Sequence, residues 1–344
     1  EFAEEGVAQV LCSVVYLTLC GVCAMFATAR FTRRGLTRSF SSGSTVGFIG
    51  LGSMGSNMAA NLQKKGHSLI VYDAFPTAPG FRMLEELGAK RAGSLAEVAD
   101  SADTILSMVT ACDHVREVYA SADGIFANAK GSKLIMDCST IKPSTSLEMI
   151  GAATKAGHTF VDTPVGGGVP AASAGTLTFM VGAGEQSEEW KRVKPFLDCM
   201  GSNIVPCGAP GKGGAAKLCN NLILGISMIG VSEGYRLAAE LGVDMHLFDT
   251  VVNGSSGRCW SSDTYNPVPE LKDRYPNAPA SREYSPPSFM LELMLKDLKF
   301  AIETGESVGY TMPLLKEATA LYQEAHDKGH HKKCFSSIYH YGQH

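Results

Sequence analysis

The chain has 344 residues, 45% of them apolar and 19% charged, and a formal net charge of -4. Those values describe a soluble globular protein long enough for two domains, and they offer no basic surface for nucleic acid or other acidic partners. Seven of the ten cysteines (Cys112, Cys138, Cys199, Cys207, Cys219, Cys259 and Cys334) are scattered without pairing or metal-ligand spacing, so they read as reduced thiols and no metal site is expected.

Val10 to Ala27 is apolar enough to suggest a signal peptide or a membrane helix, and Cys20-Gly21-Val22-Cys23 inside it is discounted as a redox motif. Residues 25–43 start at the first methionine, Met25. They carry Arg30, Arg33, Arg34 and Arg38, many hydroxyl residues and no acid. That is the composition of a mitochondrial transit peptide. The expectation is a matrix protein translated from Met25, with residues 1–24 non-native or upstream and no membrane segment in the mature form. A true anchor remains the alternative, because the basic run directly follows the apolar one.

Thr45-Val46-Gly47-Phe48-Ile49 reads as a buried parallel strand, and Gly50-Leu51-Gly52-Ser53-Met54-Gly55 follows it as G-x-G-x-x-G. Met58, Ala59 and Leu62 then space out a short helix, Leu69-Ile70-Val71-Tyr72 a second strand, and Asp73 ends it 23 residues after Gly50. Each part has a task in holding a dinucleotide. Gly50 makes the tight turn, Gly52 lets the backbone approach a pyrophosphate, and Gly55 lets the helix pack on the strand. The helix start faces the phosphates. A carboxylate at Asp73 suits the ribose hydroxyls of NAD and repels the 2′-phosphate of NADP.

The α/β rhythm continues. Helices are expected over 81–87, from Ser94 to Asp100, over 113–119 and from Pro143, with strands at 104–109, 134–137 and 159–162. Such alternation predicts right-handed parallel crossovers, a Rossmann-like doubly wound sheet over 44–206. Ligands then sit beyond the carboxyl ends of the strands, which points to Val109-Thr110 and Ser139-Thr140, although either could be a plain loop. Gly166-Gly167-Gly168 follows a strand. Three successive glycines make sense where backbone N–H groups hold an anion, the alternative being a flexible loop. Further strands are expected at 175–182 and 203–206.

From Gly211 the texture turns helical, and residues 207–344 read as an all-α domain joined on by a long helix that is apolar on nearly all faces and so buried. Lys217 and Asn221 share one face of it at i, i+4. Burial would lower the lysine pKa and let it exchange a proton. Spacing alone favours a snorkelling lysine with its head in water. Later helices are expected over 289–304 and 314–328. His326, His330 and His331 read as solvated.

Five stretches together resemble the β-hydroxyacid dehydrogenase family over about residues 45–340: Gly47 to Gly55; Asp162 to Gly168 continuing to Gly175-Thr176-Leu177-Thr178; Gly208 to Gly214 with Lys217-Leu218-Cys219-Asn220-Asn221; Ser255 to Pro267; and Leu295-Lys296-Asp297-Leu298. The fourth looks like the family's hydroxyisobutyrate branch. The resemblance implies NAD-dependent oxidation of a small 3-hydroxy acid, (S)-3-hydroxyisobutyrate, to methylmalonate semialdehyde in valine breakdown. It makes Lys217 the proton acceptor and Asn221 its positioner, with the substrate carboxylate on Gly167 and Gly168. Val109, Thr110, His114 and Thr140 would line the nicotinamide ribose, and Lys296 would reach the cofactor. The family usually has Ser at Gly166 and Pro at Thr110, so a hydroxyl to the substrate is missing. A related reductase of tartronate semialdehyde, glyoxylate or succinate semialdehyde is the nearest alternative, and a non-catalytic cofactor-binding scaffold a remote one. The buried helices suggest a homodimer or higher homo-oligomer.

Overall fold

The computed structural model describes residues 45–341, so the readings of segments 1–24 and 25–43 lie outside the described residues. The first half runs β1 (Thr45–Ile49), α1 (Gly55–Lys64), β2 (Ser68–Tyr72), α2 (Gly80–Glu86), β3 (Lys90–Arg91), α3 (Leu95–Ser101), β4 (Thr104–Ser107), α4 (Cys112–Ala120), α5 (Ile125–Asn128), β5 (Leu134–Asp137), α6 (Pro143–Lys155) and β6 (Thr159–Asp162). The six strands form one parallel sheet in the order β3-β2-β1-β4-β5-β6. All but the edge strand β3 are largely apolar runs because both faces are covered. Val46, Phe48, Leu69, Val71, Leu106 and Met136 enter one core, while Ile49, Ile70, Ile105, Ile135 and Phe160 enter the other. This is the two-residue alternation of a strand split between two helix layers.

The register aligns Tyr72, Ile49, Ser107, Asp137 and Asp162 across the sheet. That row marks its carboxyl edge. The strand order reverses between β1 and β4, the crevice where open α/β sheets bind ligands.

The later strands differ from a simple extension of this sheet. β7 (Val165–Gly166), β8 (Leu177–Val181) and β9 (Gly201–Pro206) form a separate mixed sheet, with β7 antiparallel and β9 parallel to β8. α7 (Gly168–Ala174) and α8 (Glu188–Leu197) connect them. The rest is helical: α9 (Lys212–Glu240), α10 (Met245–Asn253), α11 (Trp260–Asp263), α12 (Leu291–Ser307) and α13 (Pro313–Ala325). α9 packs on α12 at Gly225, where an added Cβ would lie 3.0 Å from Leu298 Cδ2 and 3.2 Å from Met294 Sδ. The close crossing brings the turn of Asn221 against that of Asp297. α9 is not buried on every face as its composition suggested: Ile223 and Leu237 are 63% and 61% exposed.

Candidate functional site

The glycine turn after β1 is tight for steric reasons. Gly50 has φ +90°, and a Cβ there would sit 2.3 Å from Met108 O; one on Gly55 would sit 2.0 Å from Gly50 O. Gly52 faces open space, with nothing within 4 Å of its Cβ position. Leu51 is buried behind the turn, while Ser53 is exposed and Met54 half-buried. α1 starts without a side-chain cap; Ser56 N–H turns back to Gly52 O at 3.0 Å, and the positive end of the helix faces the turn, where an anion is favoured. Asp73 ties the turn to β2: Leu51 N–H donates to its Oδ2 at 2.7 Å and Phe75 N–H to its Oδ1 at 2.8 Å. These features fit a dinucleotide pyrophosphate, with the Asp73 carboxylate one strand away.

The ends of β4 and β5 form the next wall. Val109 N–H donates to Ser139 Oγ at 2.9 Å, and Ser139 Oγ donates to Asp137 Oδ1 at 2.6 Å. Ser107 Oγ adds a second bond to Asp137 Oδ1 at 2.7 Å. Asp137 is buried; desolvation pushes its carboxyl above the usual range, and the serine bonds oppose that. Thr110 Oγ1 and His114 Nδ1 are 3.0 Å apart. Lys296 of α12 reaches across and donates to Thr110 O and Thr140 O, both at 2.8 Å. Its ammonium staples the helical half onto both loops.

Lys217 lies on α9 three residues after Gly214, within electrostatic reach of Asp297 and Lys296 of α12. It is buried, 8% exposed, which contradicts the snorkelling geometry that spacing favoured. Desolvation lowers its pKa to about 8, Asp297 partly opposing and Lys296 reinforcing the shift. Asn221 is 1% exposed. Its Nδ2 donates to Asp297 Oδ2 at 2.6 Å and its Oδ1 accepts from Asn220 Nδ2 at 3.2 Å, which fixes how the amide points. Asp297 Oδ1 lies 3.2 Å from Lys296 Nζ. One buried carboxylate therefore serves two lysines and an amide. An amine able to shed its proton near neutral pH, beside a fixed amide, can act as a general base or acid.

Gly166 ends β7, and Gly167 (φ +119°) and Gly168 (φ +67°) turn into α7, whose start has no side-chain cap. A Cβ on Gly166 would meet only Met180 Cε at 3.6 Å and Thr178 O at 4.0 Å, ordinary contact distances that leave room for a small side chain.

Family models place the chain. Residues 45–208 match the NAD binding domain of 6-phosphogluconate dehydrogenase, and residues 211–341 match the NAD-binding domain of NADP-dependent 3-hydroxyisobutyrate dehydrogenase. The probable mitochondrial 3-hydroxyisobutyrate dehydrogenase of Dictyostelium discoideum is 46% identical over 301 residues, 88% of this chain and 91% of that protein. The mitochondrial 3-hydroxyisobutyrate dehydrogenase of Homo sapiens is 45% identical over 303 residues, 88% of each chain. The chain belongs to the 3-hydroxyisobutyrate dehydrogenase family. The solved Mycobacterium tuberculosis 3-hydroxyisobutyrate dehydrogenase with L-serine superposes with a TM-score of 0.78 at 35% identity, covering 87% of this chain and 98% of that one. As a 3-hydroxyisobutyrate dehydrogenase family member, the chain is an oxidoreductase that works with a nicotinamide dinucleotide.

Four buried acids of this family member carry no role in the sequence reading: Asp137, Asp162, Asp297 and Asp249, the last held by Tyr235, Tyr275 and Arg274. Asp137 and Asp162 each close an apolar strand at the ligand-binding edge, a position that is itself a signal. Asp297 sits among Met294, Leu295 and Leu298 on the buried face of α12, where a carboxylate needs a partner.

Proposed function

We propose that the protein oxidises (S)-3-hydroxyisobutyrate to methylmalonate semialdehyde with NAD+ in the mitochondrial matrix, as a step of valine breakdown. The observation that carries the reading is the buried, near-neutral Lys217 beside the Asn221–Asp297 pair. Residues 44–206 hold the cofactor and residues 207–344 complete the substrate site. Gly50 to Gly55 cradle the pyrophosphate. Val109, Thr110, His114 and Thr140 line the nicotinamide ribose, with Lys296 pinning their loops. Backbone N–H groups of Gly167 and Gly168 take the substrate carboxylate, with Gly166 leaving the space beside them open. When bound, the nicotinamide ring accepts the hydride, or returns it in the reverse direction. Lys217 Nζ takes the hydroxyl proton, and Asn221 orients the amine and the substrate oxygen.

Support for the reading also comes from the names of the relatives above. Initial rates with 3-hydroxyisobutyrate, glycerate and L-serine, each with NAD+ and NADP+, test it. The expected result is highest kcat/KM for 3-hydroxyisobutyrate with NAD+; a clear preference for another acid would refute it. Asp73 supports NAD over NADP, because its carboxylate would repel a 2′-phosphate. Asp73→Asn is expected to raise KM for NAD+ by about ten- to a hundredfold, the loss of a charge-assisted bond, while KM for NADP+ changes much less. Unchanged cofactor discrimination in such initial-rate assays would place the ribose elsewhere.

A homodimer or higher oligomer is the reading favoured by the apolar surface of α9 and α10. Leu237, Leu241, Leu247 and Val251 are 61%, 72%, 60% and 55% exposed. Beside them runs a groove of about 350 Å³ lined by Gly230, Gly234, Phe248 and Val252. Surface of this kind marks an interface. Leu237→Glu combined with Leu247→Glu is expected to yield monomers by light scattering; an oligomer that survives the pair would exclude this face.

A further inference from the structure

Asp162 is a buried acid that the proposed proton transfer does not use, and its surroundings are tighter than a plain strand end needs. It is 1% exposed at the end of β6. Its Oδ1 accepts from Gly211 N–H and its Oδ2 from Gly214 N–H, both at 2.9 Å. Those amides belong to the N-cap and first turn of α9, and the N-cap, Gly211 at φ +77°, has no side chain with which to cap the helix. Asp162, 49 residues earlier, supplies the missing acceptor.

Two further glycines close around the same carboxylate. A Cβ on Gly182 would lie 1.9 Å from Asp162 Oδ1, and one on Gly213 would lie 2.9 Å from Oδ2 and 2.3 Å from Met180 O. Gly182 N–H also donates to Asp162 O at 2.8 Å. The ends of β6 and β8 and the start of α9 thus meet at one carboxyl group, with Ser146 Oγ 3.6 Å from the Cβ position of Gly214. Lys217 stands one turn further along α9, on the same rigid segment as Gly214.

We infer that Asp162 is a positioning residue: by docking the first turn of α9 onto the sheet edge it fixes where Lys217 stands relative to the loops after β4 and β5. The inference rests on Lys217 being the proton acceptor. Two charge-assisted bonds at 2.9 Å set both the height and the rotation of the helix start, whereas one bond would leave it free to pivot. A shift of about 1 Å in a reacting group can cost a factor of about 100 in rate, so a mount of this stiffness bears on the proton transfer as well as on the fold.

Two variants test this. Asp162→Asn keeps the shape and turns one acceptor oxygen into a donor facing an N–H group. Gly182→Ala keeps the charge and pushes the carboxylate off its partners. The measurements are kcat, the kinetic isotope effect with substrate deuterated at the carbinol carbon, NADH affinity by fluorescence, and Tm. Both variants are expected to lower kcat about tenfold or more and to raise the isotope effect, with NADH affinity within about twofold of wild type. A lowered Tm with kcat per active site and isotope effect unchanged would make Asp162 a stabilising cap only, and so would failure of both variants to fold. Lys217→Ala is run alongside. If it keeps near-normal turnover, the lysine reading falls and this inference with it. If it is inactive while the Asp162 and Gly182 variants keep wild-type kcat and isotope effect, this inference alone falls.

Discussion

Replacing Lys217 by alanine is expected to lower kcat for alcohol oxidation by about three orders of magnitude while leaving NADH affinity nearly unchanged. A positioned acid–base group contributes about 10²–10⁴, and Lys217 lies outside the glycine turn and the Asp73 tether that grip the dinucleotide. Stopped-flow turnover together with NADH fluorescence titration checks both halves of the claim. The wild-type enzyme carries the same claim in its pH dependence. Burial lowers the amine's pKa from the ordinary 10.5 to about 8, so the free base required for oxidation accumulates as pH rises through about 8. kcat/KM for oxidation should climb over that range and level off above it. Aldehyde reduction requires the protonated amine and should decline over the same range. The shift also has a sign for stability. Below about pH 8 the folded protein holds a buried ammonium at a cost of about 3 kcal/mol; the cost is relieved as pH rises from about 8 towards 10.5, because there the unfolded chain binds the extra proton.

The sheet was legible because its strands are buried on both faces and therefore spell continuous apolar runs, such as Val46 to Ile49 and Leu134 to Met136. Lys90–Arg91 escaped because a two-residue strand has no period to read. α8 was legible and passed over: Ser187 caps it, accepting from Trp190 N–H, and Trp190, Val193 and Leu197 line its buried face. The environment of Lys217 was not legible from spacing. The charges that act on it, Asp297 and Lys296, arrive with α12 from more than seventy positions away. For the same reason no local pattern gives Asp297 its place. α9 misled in the opposite direction, since an apolar helix surface that meets the protein's own core and one that is bare on the chain have the same composition.

Asp297 is where two variants separate charge from geometry. Its carboxylate holds Asn221 at 2.6 Å, pairs with Lys296 at 3.2 Å and raises the affinity of Lys217 for its proton. Asp297→Asn removes the charge and keeps an oxygen for Asn221. With the anion gone and Lys296 still cationic, the ammonium of Lys217 is harder to hold, so its pKa drops below about 8. The rising limb of the oxidation profile should move to lower pH, by about one unit for a charge interaction of about 1.4 kcal/mol. Asp297→Ala removes the charge and the oxygen together. It should show the same displacement and, in addition, a fall in kcat of about a hundredfold, because the freed Asn221 amide and the unscreened Lys217 share one buried space beside the half-buried Lys296. Full pH–rate profiles of both variants decide the matter. An unmoved limb in Asp297→Asn would mean that the carboxylate does not feel the charge of Lys217. Equal kcat in the two variants would mean that the Asn221 bond has no part in orienting the reaction.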